Sequence, residues 1–271
     1  MKFLTIAFVL LQFSISAFAQ TSTSTREPLV IGENVEIFSE ALNENRALNI
    51  YLPPSYHKDS ADKFPVIYLL DGGMDEDFLH ITGLAQFASF PWIQMIPESI
   101  VVGIVNVDRQ RDFTFPTTNK KDKIDIPSSG QSQKFIQFLL EELQPFISEK
   151  YSNHPSKTLI GQSLGGLLAS EVLFQKPNSF TNYVIVSPSL WWDDESFLQR
   201  EIHFANNSPS IFIAVGKEGE VMERTAKSLA EKLQNSVQEN DAIFFEFLEK
   251  QDHGDALHLA VYHAFEKFSR K

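Results

Sequence analysis

Ser163 has the sequence surroundings of a catalytic nucleophile. Residues 161–165 read Gly-Gln-Ser-Leu-Gly, follow a short apolar run and precede a helical pattern. A serine on a sharp turn from strand to helix requires small residues two positions before and after it, because the strained backbone leaves no room for a Cβ atom. Gly161 and Gly165 meet this requirement, so the pattern predicts a hydroxyl at a helix N-terminus, where free N–H groups favour developing negative charge. The alternative is a glycine-rich turn with an incidental serine.

His253 is the predicted general base. A serine hydroxyl is a weak nucleophile at neutral pH and needs a base that is itself oriented by an acid. In the α/β-hydrolase arrangement, the carboxylate follows a strand downstream of the serine, and the histidine follows the last strand. His253 comes after the apolar run 243–248 and before Gly254, which permits a tight turn. The other histidines precede the serine, lie in polar connectors or fall within the predicted last helix: His57, His80, His154, His203, His258 and His263.

Two glutamates compete for the role of the acid. The apolar run 211–215 is followed by Gly-Lys-Glu-Gly-Glu, which places Glu218 and Glu220 just past a buried strand. Glu218 comes sooner after the strand and is the predicted acid, with Glu220 as the alternative. The glutamate that is not used would cap the helix that begins near Val221.

The oxyanion of an acyl-transfer reaction requires backbone N–H donors that are already in position. One predicted donor is the N–H of Leu164, the residue after the nucleophile, and the other lies in Asp-Gly-Gly at residues 71–73. Gly72 is the predicted second donor, although an ordinary turn would also use these glycines.

The order of apolar and amphipathic segments predicts an α/β fold of the α/β-hydrolase type. Continuous apolar runs are typical of parallel strands that are covered on both faces. These runs are residues 66–70, 100–107, 159–160, 184–186, 211–215 and 243–248. Helical patterns lie among them at residues 131–150, 164–175, 222–238 and 256–268. The alternation predicts a mostly parallel central sheet with helices on both faces, preceded by an antiparallel pair at 35–39 and 47–52.

Composition and charge narrow the classes of function. The chain has 271 residues and 43% hydrophobic content, which suits one domain with a large core. A net charge of −12 argues against nucleic acid and anionic membranes as partners, and says little about a small substrate. The expected partner is a small-molecule ester, which the serine pattern indicates. The chain has no cysteine, so no disulfide framework is available.

The N-terminus resembles an export signal. Met1 and Lys2 lead into an apolar stretch that ends at Ala-Phe-Ala, residues 17–19. We therefore expect a signal peptide at residues 1–19 with cleavage after Ala19, a flexible leader at 20–34, and a single catalytic domain at 35–271. The expected location is periplasmic or secreted.

Four segments together resemble the esterase D family of α/β hydrolases, in particular its siderophore (enterochelin-type) esterase branch. They are residues 64–72 (Phe-Pro-Val-Ile-Tyr-Leu-Leu-Asp-Gly), 102–109 (Val-Gly-Ile-Val-Asn-Val-Asp-Arg), 161–166 (Gly-Gln-Ser-Leu-Gly-Gly) and 187–192 (Ser-Pro-Ser-Leu-Trp-Trp). The resemblance runs from about residue 35 to the C-terminus and implies serine acyl transfer without a cofactor.

Carried over to this chain, the resemblance makes Ser163 the nucleophile, His253 the base and Glu218 the acid. The chain departs from the family at the acid, because relatives commonly place the carboxylate where Gly219 stands here. Some siderophore-type members are thought to work with a serine and histidine pair alone, which leaves the role of Glu218 open.

Trp191, Trp192 and Arg109 are the candidate substrate-binding residues. The tryptophans follow a predicted strand on the catalytic edge and would form an aromatic wall, or else pack in the core or a lid. Arg109 would bind an anion bidentately, or else pair with Asp108 or Asp112.

Three functions remain open at this stage. The leading one is an exported serine ester hydrolase acting on siderophore-type or other small esters. The others are an esterase that removes acetyl or feruloyl groups from carbohydrate, and a binding protein that keeps the fold without turnover. Clusters of Asp and His match no zinc or calcium spacing, so we expect no metal. Pocket shape is expected to depend on loops at residues 74–90 and 113–127.

Overall fold

The computed structural model describes residues 24–59, 64–202, 204, 208–237 and 243–269. Contacts divide the chain into a segment Met1–Val30 and a body Ile31–Lys271. The predicted signal peptide lies outside the described residues, and residues 24–31 have no regular secondary structure. The first strand begins at Gly32, so the sheet starts inside the segment that was predicted as leader.

One eight-stranded sheet runs through the body in the order β1-β2-β4-β3-β5-β6-β7-β8. The strands are β1 (Gly32–Ser39), β2 (Glu44–Tyr51), β3 (Val66–Leu69), β4 (Ile100–Ile104), β5 (Lys157–Gln162), β6 (Asn182–Val186), β7 (Ser210–Gly216) and β8 (Ile243–Leu248). β1 and β2 form the predicted antiparallel pair, and β2 joins β4 antiparallel, whereas every pairing from β4 to β8 is parallel. The predicted α/β fold is therefore confirmed.

Helices cover both faces of the sheet. They are α1 (Phe78–Ser89), α2 (Arg109–Phe113), α3 (Lys120–Asp125), α4 (Ser132–Gln137), a π-helical segment (Phe138–Leu143), α5 (Gln144–Lys150), α6 (Leu164–Gln175), α7 (Glu220–Gln234) and α8 (Ala256–Ser269), with 3₁₀ turns at Pro177–Ser179 and Ser196–Gln199. Side chains of α4 to α7 pack on one face, and those of α1 and α8 pack on the other. No helix of the described residues combines the length and the apolar character needed to cross a membrane.

The expectation of a loop at residues 74–90 is wrong. Most of this segment is α1, which buries Phe78, Ile81, Ala85 and Ala88 at helical spacing. The pattern is hard to detect in the sequence because Leu79 and Phe87 on the outer side are also apolar, and exposed. Residues 113–127 likewise contain α3.

Parallel pairing places the carboxyl ends of β3 to β8 at one edge of the sheet. The loops that follow these strands therefore converge there, which is where open α/β sheets bind ligands. Residues 163, 187, 218 and 253 all lie in those loops, although they are far apart in sequence.

Candidate active site

Ser163 lies on the predicted turn between β5 and α6. Its backbone has φ 60° and ψ −120°, a strained conformation for a residue with a side chain. Its N–H donates to the carbonyl of Val186 at 3.0 Å, and its own carbonyl accepts the N–H of Leu167 at 3.0 Å. A Cβ atom on Gly161 would lie 2.4 Å from the carbonyl oxygen of Gly165. Gly161 therefore allows strand and helix to approach closely enough to form the turn.

His253 and Glu218 form a short hydrogen bond at the ends of β8 and β7. His253 Nδ1 lies 2.6 Å from Glu218 Oε2, and the other carboxylate oxygen accepts from the Ser187 hydroxyl and from the Gly216 N–H. The Glu218 side chain is only 3% exposed, whereas that of His253 is 49% exposed. A buried acid thus holds an accessible imidazole.

The hydrogen bond shifts the pKa of both groups. Burial alone would raise the pKa of Glu218, but the hydrogen bonds from His253 and Ser187 outweigh it and hold that pKa below its ordinary value. The hydrogen bond to Glu218 raises the pKa of His253, against the effect of burial. Because an ionised carboxylate only accepts hydrogen bonds, Nδ1 carries the proton and Nε2 has the lone pair that a base requires.

Glu220 does not reach the histidine. Gly219 has φ 93°, which turns the chain after Glu218, and Glu220 becomes the first residue of α7 with an exposed side chain. The structure therefore brings Glu218 to the imidazole and leaves Glu220 at the helix N-terminus, where a negative charge is favourable.

A cleft of about 380 Å³, which we call the Ser163 cleft, opens beside Ser163. Its lining residues are Asp71, Glu76, Asp77, Arg109, Gln162, Ser163, His253 and Gly254. Gln162 Nε2 also donates to the His253 carbonyl at 2.6 Å, which ties the histidine loop to the turn. A larger cavity of about 670 Å³, between β3 and α8, has no ionisable lining residue, so the Ser163 cleft is the candidate active site.

The prediction that Gly72 donates to an oxyanion is wrong. Its N–H already donates to the Ile104 carbonyl on β4 at 3.0 Å. A Cβ at this position would lie 2.3 Å from the Gly103 Cα, so the glycine serves close packing against β4. The next N–H, that of Gly73, donates to Glu76 Oε2 at 2.9 Å. Leu164 is the first residue of α6, where backbone N–H groups have no partner within the helix.

Arg109 lies at the cleft, but its predicted pairing partners are wrong. It forms two hydrogen bonds with Asp71, from Nε at 2.6 Å and from Nη2 at 3.0 Å. Asp108 instead caps α2, and Asp112 pairs with buried Arg46. Arg109 also donates to the Gln162 carbonyl at 3.3 Å, so it links the ends of β3, β4 and β5. Asp71 therefore neutralises the Arg109 charge that we expect, from the sequence, to bind a substrate anion.

The two tryptophans differ in burial. Trp192 is fully buried and its indole N–H donates to the Phe115 carbonyl at 2.9 Å, so its predicted role in substrate binding is wrong. Trp191 is 37% exposed, although it does not line the Ser163 cleft. Directly after the tryptophans, residues 193–195 all have positive φ, and the Asp193 carboxylate accepts hydrogen bonds from Thr117 and Thr118.

Sequence reasoning missed Ser187, Asn106, Glu76 and Asp77. Ser187 orients the acid, and Asn106 donates to both Asp71 and Glu76 at 2.7 Å. Ser187 and Asn106 each follow a buried strand at the carboxyl edge of the sheet, and this position is the sequence signal that could have identified them. Among the described residues, no group of three or more His, Asp or Glu is arranged to hold a metal ion.

Comparison with known proteins gives a family and several relatives. A family model described as a putative esterase matches residues 39–269. The ferri-bacillibactin esterase BesA of Bacillus subtilis is 32% identical over 209 residues, 69% of this chain and 70% of that protein. The siderophore enterobactin esterase of Emericella nidulans is 37% identical over 82 residues, 29% of this chain and 27% of that protein. The solved IroE-like serine hydrolase from Shewanella oneidensis has a TM-score of 0.77 at 25% identity and covers 88% of this chain and 80% of its own.

The close packing at the turn predicts that Gly161→Ala destabilises the protein. The new Cβ would meet backbone atoms of Gly165, which cannot rotate away as a side chain would. We expect a loss of about 2 kcal/mol or more in the free energy of unfolding, measured with urea. Gly83→Ala is the matched control, because a Cβ there meets nothing within 4 Å and alanine favours a helix. Equal stability of the two variants would contradict the packing argument.

The Glu218 hydrogen bond predicts that Glu218→Gln lowers the pKa of His253. The neutral amide cannot stabilise the imidazolium as the carboxylate does, so the proton should dissociate at lower pH. NMR titration of the His253 ring would measure the shift, with Glu220→Gln as the control that should leave it unchanged. An unchanged His253 pKa in Glu218→Gln would contradict the pairing.

Proposed function

The chain belongs to the esterase family whose model matches residues 39–269. We propose that it hydrolyses esters through an acyl-enzyme on Ser163. Membership makes it an ester hydrolase. The observation that carries the serine mechanism is the Glu218–His253 hydrogen bond, together with a serine that is held in a strained turn and lines the same cleft as His253. These are the parts that nucleophilic catalysis by serine requires.

The reaction would proceed in two halves. His253 Nε2 accepts the Ser163 proton as Oγ attacks the ester carbonyl carbon, and the resulting tetrahedral intermediate expels the alcohol, which receives the proton from His253. A water molecule then gives a proton to His253 and attacks the acyl-enzyme, which releases the carboxylic acid and returns the proton to Ser163. Glu218 remains ionised throughout and stabilises the imidazolium.

Leu164 and Gly73 are the proposed donors to the oxyanion. The N–H of Leu164 is at the start of α6, next to the nucleophile. Gly73 replaces Gly72 as the second donor, because Gly72 is committed to β4. Glu76 accepts the Gly73 N–H in the structure, so a substrate carbonyl would have to displace that carboxylate. Each such donor contributes about 3 kcal/mol to transition-state stabilisation.

Siderophore esters are the first substrates to assay. The names of two relatives, a ferri-bacillibactin esterase and a siderophore enterobactin esterase, support that choice for this chain. The accessible imidazole and the open cleft suit an ester group presented on a larger molecule.

We also propose that the protein is exported. The sequence of residues 1–19 supports cleavage after Ala19, so N-terminal sequencing of the protein recovered from its native cells should begin at Gln20. Recovery of intact Met1 would contradict export by this signal.

The mechanism predicts the effects of four substitutions on ester hydrolysis. Ser163→Ala and His253→Ala should each lower kcat by about 10⁴-fold or more while the fold is preserved. Glu218→Ala should lower kcat by about 10-fold to 1,000-fold, because the imidazole loses its orienting partner. Glu220→Ala is the matched control and should leave kcat within about twofold.

Steady-state kinetics with a chromogenic ester would measure these effects, and circular dichroism would verify folding. Full activity of folded Ser163→Ala would refute the acyl-enzyme. Equal, negligible losses in both glutamate variants would indicate that serine and histidine act without an acid.

A further inference from the structure

Asp77 contributes a carboxylate to the Ser163 cleft. It precedes α1, where an aspartate side chain ordinarily accepts an N–H of the first helical turn, yet it makes no such hydrogen bond. Within the described part of the chain, no hydrogen bond or salt bridge engages its carboxylate. Its backbone N–H donates to the Asp71 carbonyl at 3.1 Å, which fixes the residue at the cleft. The side chain is therefore available to a ligand.

The other charged groups of the cleft do not compensate Asp77. Arg109 is the one cation among the lining residues apart from the titratable His253, and it directs Nε and Nη2 at Asp71. Glu76 accepts hydrogen bonds only from neutral donors, the Gly73 N–H and the Asn106 amide. The cleft thus has an excess of negative charge beside the nucleophile.

The environment of Asp77 penalises its charge. Burial raises the pKa of Asp77, and the negative charges of Asp71 and Glu76 add to this effect, whereas His80 and Arg109 oppose it. A positive group in the cleft would stabilise the ionised form. Such a group would therefore bind more favourably than a neutral group of the same shape.

We infer that the Ser163 cleft selects esters that have a positive charge near the scissile bond, with Asp77 as the residue that determines this specificity. The inference rests on the proposed ester hydrolysis at Ser163 and names its preferred substrate class. For one charge pair in a partly solvated cleft, the expected preference is about tenfold in kcat/KM.

Pairs of acetate esters that differ only in charge provide the test. Each pair consists of an ω-(trimethylammonio)alkyl acetate and the isostere in which carbon replaces nitrogen, with linkers of two to five methylenes. At about pH 8, on the alkaline side of the ordinary histidine pKa, kcat/KM is measured for both members at the same pH with the full mature chain. The wild type should favour the cation by about tenfold for at least one linker.

Three variants assign the preference to Asp77. Asp77→Asn should reduce the ratio to about one, and Asp77→Glu should retain it, because the charge is conserved. Asp75→Asn is the matched control, since Asp75 is exposed in the same loop and does not line the cleft. That variant should retain the wild-type ratio.

Two results would overturn the inference. Equal rates for both members of every pair in the wild type would refute the preference, whether or not Asp77→Asn folds. A preference that persists in folded Asp77→Asn would refute its assignment. Hydrolysis of the neutral isosteres that is lost in Ser163→Ala would uphold the proposed function in either case, whereas hydrolysis of no ester by folded wild type would contradict that function itself.

Discussion

The constraint on which the rest of the site depends is the close approach of β5 to α6 around Ser163. The left-handed backbone of this serine is sterically costly, and it persists because Gly161 packs against the Gly165 backbone, where a Cβ atom would clash. The turn directs the hydroxyl out of the sheet and leaves the first N–H groups of α6 beside it. Hydrogen bonds to Val186 and from Leu167 then anchor the turn to the neighbouring strand and to the helix.

A second set of interactions holds the surrounding loops in place. Arg109 joins Asp71 to the Gln162 carbonyl, and Asn106 joins Asp71 to Glu76, so the ends of β3, β4 and β5 form one hydrogen-bonded network. On the other side of the serine, Ser187 and Gly216 hold Glu218 for His253. Both sets are polar and partly buried, and each member has a defined partner, which favours a single arrangement of the site.

Much of this organisation could be predicted from the sequence. β8 and α6 have the bounds that the apolar pattern indicates, since a buried strand and a glycine-flanked turn leave clear signals. The choice of Glu218 over Glu220 also followed from its position after β7, and Gly219 supplies the physical reason. The Glu218–His253 contact connects residues 35 positions apart, so only the parallel sheet could bring them together.

The remaining features depend on the orientation of individual N–H groups and side chains, which the sequence pattern does not specify. The N–H of Gly72 points to β4, because close packing against Gly103 decides its orientation. Trp191 and Trp192 are neighbours in sequence, yet a run of left-handed residues after them leaves one exposed and one buried. The sequence pattern gives Asp77 no distinct role, and only the structure shows that it lines the cleft without capping α1.

The central claim is that Glu218 and His253 activate Ser163. Reaction of the mature protein with a fluorophosphonate ester, followed by peptide mass spectrometry, tests this claim most directly, because the reagent labels serines that a base has activated. We expect one covalent adduct on Ser163, and this adduct should be lost in His253→Ala. Folded protein that forms no adduct, or that reacts equally in His253→Ala, would contradict the activation of Ser163 by His253.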